Sequence, residues 1–123
     1  MSSITLLGLG PGNPQQLTRQ AWDWLSSISE VYLRTRHHPM AGELPAGLTV
    51  HAFDNIYTKS ADAQQAVEEI VTRVLKLGQR AQGVTYAVPG SPFLGEAAAP
   101  LIARRARELG IPLTIIDGLS YIE

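Results

Sequence analysis

The sequence predicts an α/β fold: an open, mainly parallel five-stranded sheet with helices on both faces. Three observations support this prediction. Short apolar runs alternate along the chain with segments whose apolar residues recur at helical spacing. The runs at 84–88 and 112–116 are nearly continuous, which indicates strands that are buried on both faces. Unusual loops rich in glycine, proline or hydroxyl residues follow three of the strands, at 8–14, 88–95 and 117–121.

Size, charge and composition restrict the class of protein. The chain has 123 residues, a formal net charge of −1 from 10 Lys+Arg and 11 Asp+Glu, and no cysteine. This balance lacks the basic surface typical of nucleic-acid or membrane binding, and the lack of cysteine excludes a disulfide framework. No apolar run reaches the length of a membrane span, and no signal peptide is recognisable. We therefore expect one cytoplasmic α/β domain over residues 1–123 that binds neither nucleic acid nor membranes.

Strands and helices are expected to alternate in the order that a parallel sheet requires. Asn13 and Pro14 suit the N-cap and the first position of the first helix. A broad apolar stripe over 60–77 predicts the second helix. Pro100 predicts that the third helix, ending near 109, either starts near Glu96 or is kinked. The predicted strands cover residues 4–7, 31–33, 48–53, 83–88 and 111–116.

The first loop, Gly-Leu-Gly-Pro-Gly-Asn-Pro at 8–14, indicates a place where the backbone approaches a ligand. Glycine lacks the Cβ atom that would keep a ligand away, and a following helix offers unpaired N–H groups to an anionic group. The alternative is a tight turn with no ligand. The strand–loop–helix context favours ligand binding over the plain turn.

Several known phosphate and nucleotide motifs do not fit this loop. No Gly-Lys-Ser/Thr follows it, so a P-loop is absent. A dinucleotide fingerprint requires a third glycine where Asn13 stands, and an acidic residue after the second strand where Arg34 and Arg36 stand. Arg34 could meet a 2′-phosphate, so a nicotinamide-binding Rossmann domain stays open as an alternative.

Serine and histidine residues give little indication of nucleophilic or metal chemistry. Ser91 lies in Pro-Gly-Ser-Pro, which is not the glycine-flanked elbow that exposes an attacking serine. His37 and His38 are adjacent and point to opposite sides of an extended chain, and His51 lies in a predicted strand without a ligand cluster. We expect no metal site, and we interpret His38 as a solvated loop histidine.

Three loops of the sequence resemble the motifs of one enzyme family. The run Ile-Thr-Leu-Leu-Gly-Leu-Gly-Pro-Gly-Asn-Pro at 4–14 is similar to the opening motif of the tetrapyrrole (corrin/porphyrin) methylases. Ala-Val-Pro-Gly-Ser-Pro at 87–92 resembles their second cofactor loop, which usually ends Gly-Asp-Pro. Gly-Leu-Ser-Tyr at 118–121 is similar to the loop after their fifth strand. The resemblance covers essentially the whole chain.

Two further stretches resemble one branch of that family, the methylase-like domain fused to MazG-type nucleoside-triphosphate pyrophosphohydrolases. They are Tyr-Leu-Arg-Thr at 32–35 with His-Pro at 38–39, and Phe-Asp-Asn-Ile-Tyr at 53–57.

The resemblance implies that the three loops contact S-adenosylmethionine (SAM). Methyl transfer from a sulfonium is an in-line displacement that depends on positioning, so no acid–base pair is required and no catalytic residue is assigned. Ser91 departs from the family pattern, which has aspartate at this place. The implied cofactor-contact residues are Gly10, Pro11, Gly12, Gly90, Ser91, Leu94, Ser120 and Tyr121.

The implied function is that of a SAM-dependent methyltransferase domain with an unknown small-molecule acceptor. Family members carry a second α/β domain of similar size, so the chain resembles an N-terminal half. We expect residues 1–123 alone to fold, to self-associate as a homodimer through the apolar surface that would face the second half, and not to catalyse methyl transfer. The alternative is a non-catalytic ligand-binding or dimerisation module that regulates a fused nucleotide pyrophosphohydrolase.

Overall fold

Five parallel strands form one sheet in the order β3-β2-β4-β1-β5. The computed structural model describes residues 2–12, 14–92 and 97–118. The predicted five-stranded parallel sheet is confirmed. The strands are β1 (Ile4–Gly8), β2 (Glu30–Leu33), β3 (Thr49–Ala52), β4 (Val84–Val88) and β5 (Leu113–Ile116).

Four α-helices and two short 3₁₀ helices connect the described strands. The α-helices are α1 (Arg19–Ser27), α2 (Asp54–Lys59), α3 (Ala63–Gly78) and α4 (Ala98–Leu109). The 3₁₀ helices cover Pro14–Gln16 and Pro39–Gly42. None of the helices in the described part of the chain is long and apolar enough to cross a membrane.

The first helix begins later than the sequence predicts. Pro14 starts a single 3₁₀ turn, and α1 begins only at Arg19. The hydroxyl of Thr18 accepts a hydrogen bond from the backbone N–H of Ala21 at 3.1 Å, so Thr18 is the N-cap of α1. Asn13, the predicted cap, lies outside the described residues.

Two other helix predictions need correction or refinement. The six-residue helix α2 is absent from the predicted elements; it begins at Asp54, directly after the predicted strand 48–53, and an acidic residue suits the first turn of a helix. Pro100 is the third residue of α4, where its missing N–H costs no hydrogen bond, so the helix is not interrupted. The predicted start near Glu96 lies outside the described residues.

Helices cover both faces of the sheet, as predicted, and each face has its own apolar core. Ile4 and Leu6 of β1 pack in the core beneath α2, α3 and α4. Leu7 points to the opposite face and packs in the core beneath α1 and the second 3₁₀ helix. This alternation follows from the two-residue period of a strand.

β1 and β4 are neighbours in the centre of the sheet, and their outgoing connections run in opposite directions. The chain leaves β1 towards β2 through α1, and leaves β4 in the opposite direction towards β5 through α4. The two helices therefore lie on opposite faces. Ligands in open α/β sheets bind at such a switch point, beyond the carboxyl ends of the strands.

We predict that Gly78→Ala destabilises the fold. A Cβ atom at Gly78 would collide with the side chain of Ile4, whose Cδ1 would be 2.9 Å away and which is fully buried. Overpacking of this kind costs about 1–3 kcal/mol of unfolding free energy, although alanine has the higher helix propensity. The matched control is Gly42→Ala, where no atom lies within 4 Å of the added methyl group. Equal midpoints for both variants in urea unfolding would contradict this packing argument.

Candidate functional site

The loops that follow β1 and β4 are joined by their backbones. The N–H of Gly10 donates to the carbonyl of Gly90 at 3.2 Å, and the N–H of Gly90 donates to the carbonyl of Gly10 at 2.9 Å. Leu9 adds a third link, because its N–H donates to the carbonyl of Val88 at 2.8 Å. The structure thus brings the first and second loops together at the carboxyl edge of the sheet, as the sequence predicts.

The loop after β5 reaches the same place through a contact that only glycine permits. A Cβ atom on Gly118 would lie 2.8 Å from the carbonyl oxygen of Gly8 and would also strike the carbonyl of Gly90. A Cβ atom on Gly8 would lie 2.7 Å from the backbone nitrogen of Gly118. Three loops therefore touch backbone to backbone, without side chains between them. We call the contact of Gly8, Gly90 and Gly118 the glycine junction.

Positive φ angles explain why glycine stands at two other positions of the first loop. Gly10 has φ +75°, and its carbonyl faces the loop after β2. Gly12 has φ +125°, and a Cβ atom there would lie 3.2 Å from the ring of Pro39. A residue with a Cβ atom is strained at these φ angles, whereas glycine adopts them freely. The first loop is thus shaped by glycine and packed against the loop that follows β2.

His38 fixes the first loop from that side and is buried, so the interpretation as a solvated histidine was wrong. Its Nδ1 accepts a hydrogen bond from the backbone N–H of Met40 at 3.0 Å. Nε2 therefore carries the proton, and it donates to the carbonyl of Gly10 at 3.0 Å. The sequence signal was the His-Pro pair, since His38 is the N-cap of the 3₁₀ helix that begins at Pro39.

Ser91 joins the second loop to the third. Its side chain is only 3% exposed, and its hydroxyl donates to Oδ1 of Asp117 at 2.5 Å. The same carboxylate oxygen accepts the backbone N–H of Gly118 at 3.0 Å. The Ser91 hydroxyl thus links two loops, a role that sequence reasoning missed because the two side chains are far apart in the chain.

Asp54 organises the loop after β2. Its carboxylate accepts the hydroxyl of Thr35 at 2.6 Å and the backbone N–H of Arg36 at 2.9 Å. Partial burial acts to raise the pKa of Asp54, but these two hydrogen bonds, together with the charges of His37 and Arg36, outweigh burial and lower the pKa. The ionised carboxylate therefore stabilises the segment that leads to His38.

Arg34 lies at the same edge, at the junction of β2 and β4. Its backbone N–H donates to the carbonyl of Ala87 at 2.9 Å. Its Nε donates to the hydroxyl of Tyr57 at 3.3 Å, and the guanidinium carbon lies 5.8 Å from the centre of the Tyr57 ring. Arg34 is therefore held by an aromatic partner, and this contact gives no support to a role in binding a dinucleotide phosphate.

A wide groove of about 780 Å³ lies elsewhere, between β2, β3 and the last turns of α3. Tyr32 and Phe53 form its apolar part. Arg80 donates to Glu30 at 2.9 Å, and Arg73 donates to Glu69 at 3.1 Å, so two of its cations already have acidic partners. Neither this groove nor any group of His, Cys, Asp and Glu among the described residues forms a metal centre. The candidate site is assigned to the glycine junction because the loops that resemble cofactor loops meet there.

The structure brings together five of the eight predicted contact residues: Gly10, Pro11, Gly12, Gly90 and Ser91. The other three, Leu94, Ser120 and Tyr121, lie outside the described residues. His38 and Asp117 are additions that the structure reveals.

Comparisons with known proteins identify relatives of this chain. The family model of the Tetrapyrrole (Corrin/Porphyrin) Methylases matches residues 3–123. The "Uncharacterized protein YabN" of Bacillus subtilis (strain 168) is 34% identical over 121 residues, which are 98% of this chain and 24% of that protein. The chain thus spans about a quarter of the length of this curated relative.

Solved structures show the same fold. Uroporphyrin-III-C-methyltransferase from Thermus thermophilus superposes with a TM-score of 0.72 at 21% identity, over 97% of this chain and 48% of that chain. A structure of the Thermus thermophilus enzyme complexed with S-adenyl homocysteine superposes with a TM-score of 0.68 at 20% identity, over 96% of this chain and 45% of that chain. This chain therefore corresponds in fold to about half of the enzyme.

We predict that Asp54→Asn destabilises the fold at neutral pH and not in acid. Because the pKa of Asp54 is lowered in the folded state, its ionised form contributes stability above the unfolded value of about 3.9. That contribution is lost as the pH falls through the lower, folded pKa. Urea midpoints of the two proteins should therefore differ at pH 7 and converge towards pH 3. Asp23→Asn, on the exposed side of α1, is the control for the loss of one charge. A difference that is constant from pH 7 to pH 3 would contradict this role.

Proposed function

Because this chain belongs to the tetrapyrrole methylase family, we propose that it forms one wall of the cofactor site of a SAM-dependent methyltransferase whose acceptor is unknown. The family uses SAM. The observation that carries the proposal is the pairing of Gly10 with Gly90 at the switch point of the sheet. Two loops that resemble cofactor loops thereby meet at the carboxyl edge of the sheet.

The residues at this edge fit a cofactor that is approached by backbone. Gly8 and Gly118 let the loops after β1, β4 and β5 touch through their backbones, so the loops that resemble cofactor loops meet at one place. SAM supplies a methyl group activated on a sulfonium. The residues proposed to hold it are Gly10, Pro11, Gly12, Gly90 and Ser91, together with Leu94, Ser120 and Tyr121.

The proposed role of this chain in the reaction is to bind the cofactor and to orient it. In-line transfer requires the donor and the acceptor to be held within a narrow range of geometry, which supplies much of the acceleration. His38 restrains the carbonyl of Gly10, and Asp54 restrains the segment that carries His38. No side chain is proposed to accept or donate a proton in the chemical step.

The rest of the site is proposed to come from outside this chain. The match to about half of the Thermus thermophilus enzyme supports a second α/β domain that closes the cleft and contacts the acceptor. We also propose a fused MazG-type pyrophosphohydrolase domain, a cytoplasmic location and a homodimer. The Tyr-Leu-Arg-Thr, His-Pro and Phe-Asp-Asn-Ile-Tyr stretches support the fusion.

One observation favours a second candidate function, a non-catalytic ligand-binding or dimerisation module that regulates the fused enzyme. The family usually has aspartate in the second loop, where this chain has Ser91, and the Ser91 hydroxyl is used to bind Asp117. Radiolabelled methyl transfer by the full-length protein with candidate acceptors distinguishes the two functions. Turnover with any acceptor supports the methyltransferase, and SAM binding without turnover supports the regulatory module.

We predict that His38→Ala weakens the binding of S-adenosylhomocysteine by about fivefold in the full-length protein, because it frees the carbonyl of Gly10 and a hydrogen bond within the protein is worth about 1 kcal/mol. His51→Ala is the matched control, since it removes an imidazole whose partner, Glu30, belongs to the start of β2. Calorimetric titration measures both. Unchanged affinity for His38→Ala, or an equal loss for His51→Ala, would count against the assignment of the site to the first loop.

We further predict that residues 1–123 alone fold but do not transfer methyl groups. The five strands and their covering helices form a complete two-sided sheet. One wall of a cleft buries only part of a ligand, so its affinity and orientation are weaker than in a closed site. Circular dichroism, a SAM titration and a methyl-transfer assay compare this chain with the full-length protein. Turnover by this chain alone would show that no second domain is needed.

A further inference from the structure

Asp117 is the first residue after β5 and lies beside the glycine junction, with its side chain exposed. Both hydrogen bonds to its carboxylate go to one oxygen. Oδ1 accepts the Ser91 hydroxyl and the N–H of Gly118. These two hydrogen bonds hold the carboxylate through Oδ1, and among the described residues Oδ2 has no hydrogen-bond donor.

A purely structural role for Asp117 explains the use of Oδ1 but not the presence of a second carboxylate oxygen. Bridging Ser91 and Gly118 requires one acceptor oxygen, which an asparagine amide would also supply. The negative charge and the second oxygen are not needed for the bridge. A carboxylate that is held rigidly at a ligand crevice is suited to accept a hydrogen bond from the ligand, and such bonds to an ionised acceptor are stronger than neutral ones.

Asp117 brings a carboxylate to the side chain of residue 91. The resemblance places a carboxylate in the second loop, where this chain has Ser91. The hydroxyl of Ser91 binds a carboxylate that comes from the neighbouring third loop. The two loops thus present together an acidic group that the second loop alone does not carry.

We propose that Asp117 accepts, through Oδ2, a hydrogen bond from a donor group of the bound cofactor, a ribose hydroxyl or the ammonium group, and that Ser91 is the positioning residue for this contact. The proposal rests on the proposed function. It is new in assigning the cofactor contact to the third-loop carboxylate, and in giving the Ser91 hydroxyl an orienting role.

Asp117→Asn in the full-length protein tests the contact. Asparagine retains the acceptor for Ser91 and Gly118 and places an NH₂ group where Oδ2 was, so the fold is kept and the acceptor for the cofactor is lost. We expect the affinity for S-adenosylhomocysteine, measured by calorimetry, to fall by about tenfold to a hundredfold. Ser91→Ala should give a smaller loss, because it leaves the carboxylate present but less restrained. Asp23→Asn, an exposed carboxylate on α1, is the control and should bind like the unaltered protein.

Modified ligands test the same contact on the unaltered protein and need no variant to fold. 5′-Methylthioadenosine lacks the ammonium group, and 2′,3′-dideoxy S-adenosylhomocysteine lacks the ribose hydroxyls. If the donor is a ribose hydroxyl, the effect of Asp117→Asn persists with the first ligand and disappears with the second. If the donor is the ammonium group, the pattern is reversed. An effect of the substitution that is equal for all three ligands would overturn the proposal.

Two further outcomes distinguish a failure of the Asp117 contact from a failure of the proposed methyltransferase function. If the unaltered full-length protein does not bind S-adenosylhomocysteine, the proposed function fails and the contact fails with it. If the unaltered protein binds and Asp117→Asn binds equally well, the proposed function stands and the contact at Asp117 is overturned.

Discussion

The close approach of Gly8, Gly90 and Gly118 is the constraint on which the carboxyl edge of this sheet depends. A side chain at Gly8 or Gly118 would strike the carbonyl of Gly90 and the backbone of the other glycine, so the ends of β1, β4 and β5 can converge only because these two residues lack a Cβ atom. The convergence brings the backbones of three loops into direct contact beyond the carboxyl ends of these strands. A site built from backbone is specified by the path of the chain and tolerates many changes in the surrounding side chains.

Polar side chains hold the loops around this contact. His38 binds the first loop to the loop after β2, Ser91 binds the second loop to Asp117 of the third, and Asp54 binds the loop after β2 to the start of α2. Each hydrogen bond contributes only about 1 kcal/mol of net stability. Their combined effect is to restrict the loops to one arrangement before a ligand arrives, which reduces the ordering that binding requires.

Most of the fold, but a smaller part of the candidate site, could be predicted from the sequence. Apolar runs, and apolar residues at helical spacing, indicate which residues are buried. The five strands and the long helix α3 could therefore be predicted from the local pattern of apolar residues. His38 could not be placed in this way, because its partner, Gly10, is 28 residues distant and no periodic signal connects them. The bond between Ser91 and Asp117 spans 26 residues and was invisible for the same reason. The contact roles of Leu94, Ser120 and Tyr121 stay predictions.

The strand order has a consequence for how the chain acquires its structure. β1 leaves the ribosome before the other four described strands, yet both of its neighbours come late: Ile4 pairs with Val84 on one side and with Leu113 on the other. During synthesis β2 and β3 can pair with each other, while β1 must wait until most of the chain has emerged. Pairings across such separations close large loops and are slow to form. The pairing of β1 with β4 is therefore formed late, so nascent chains that end before β4 expose an unpaired apolar strand that chaperones would recognise.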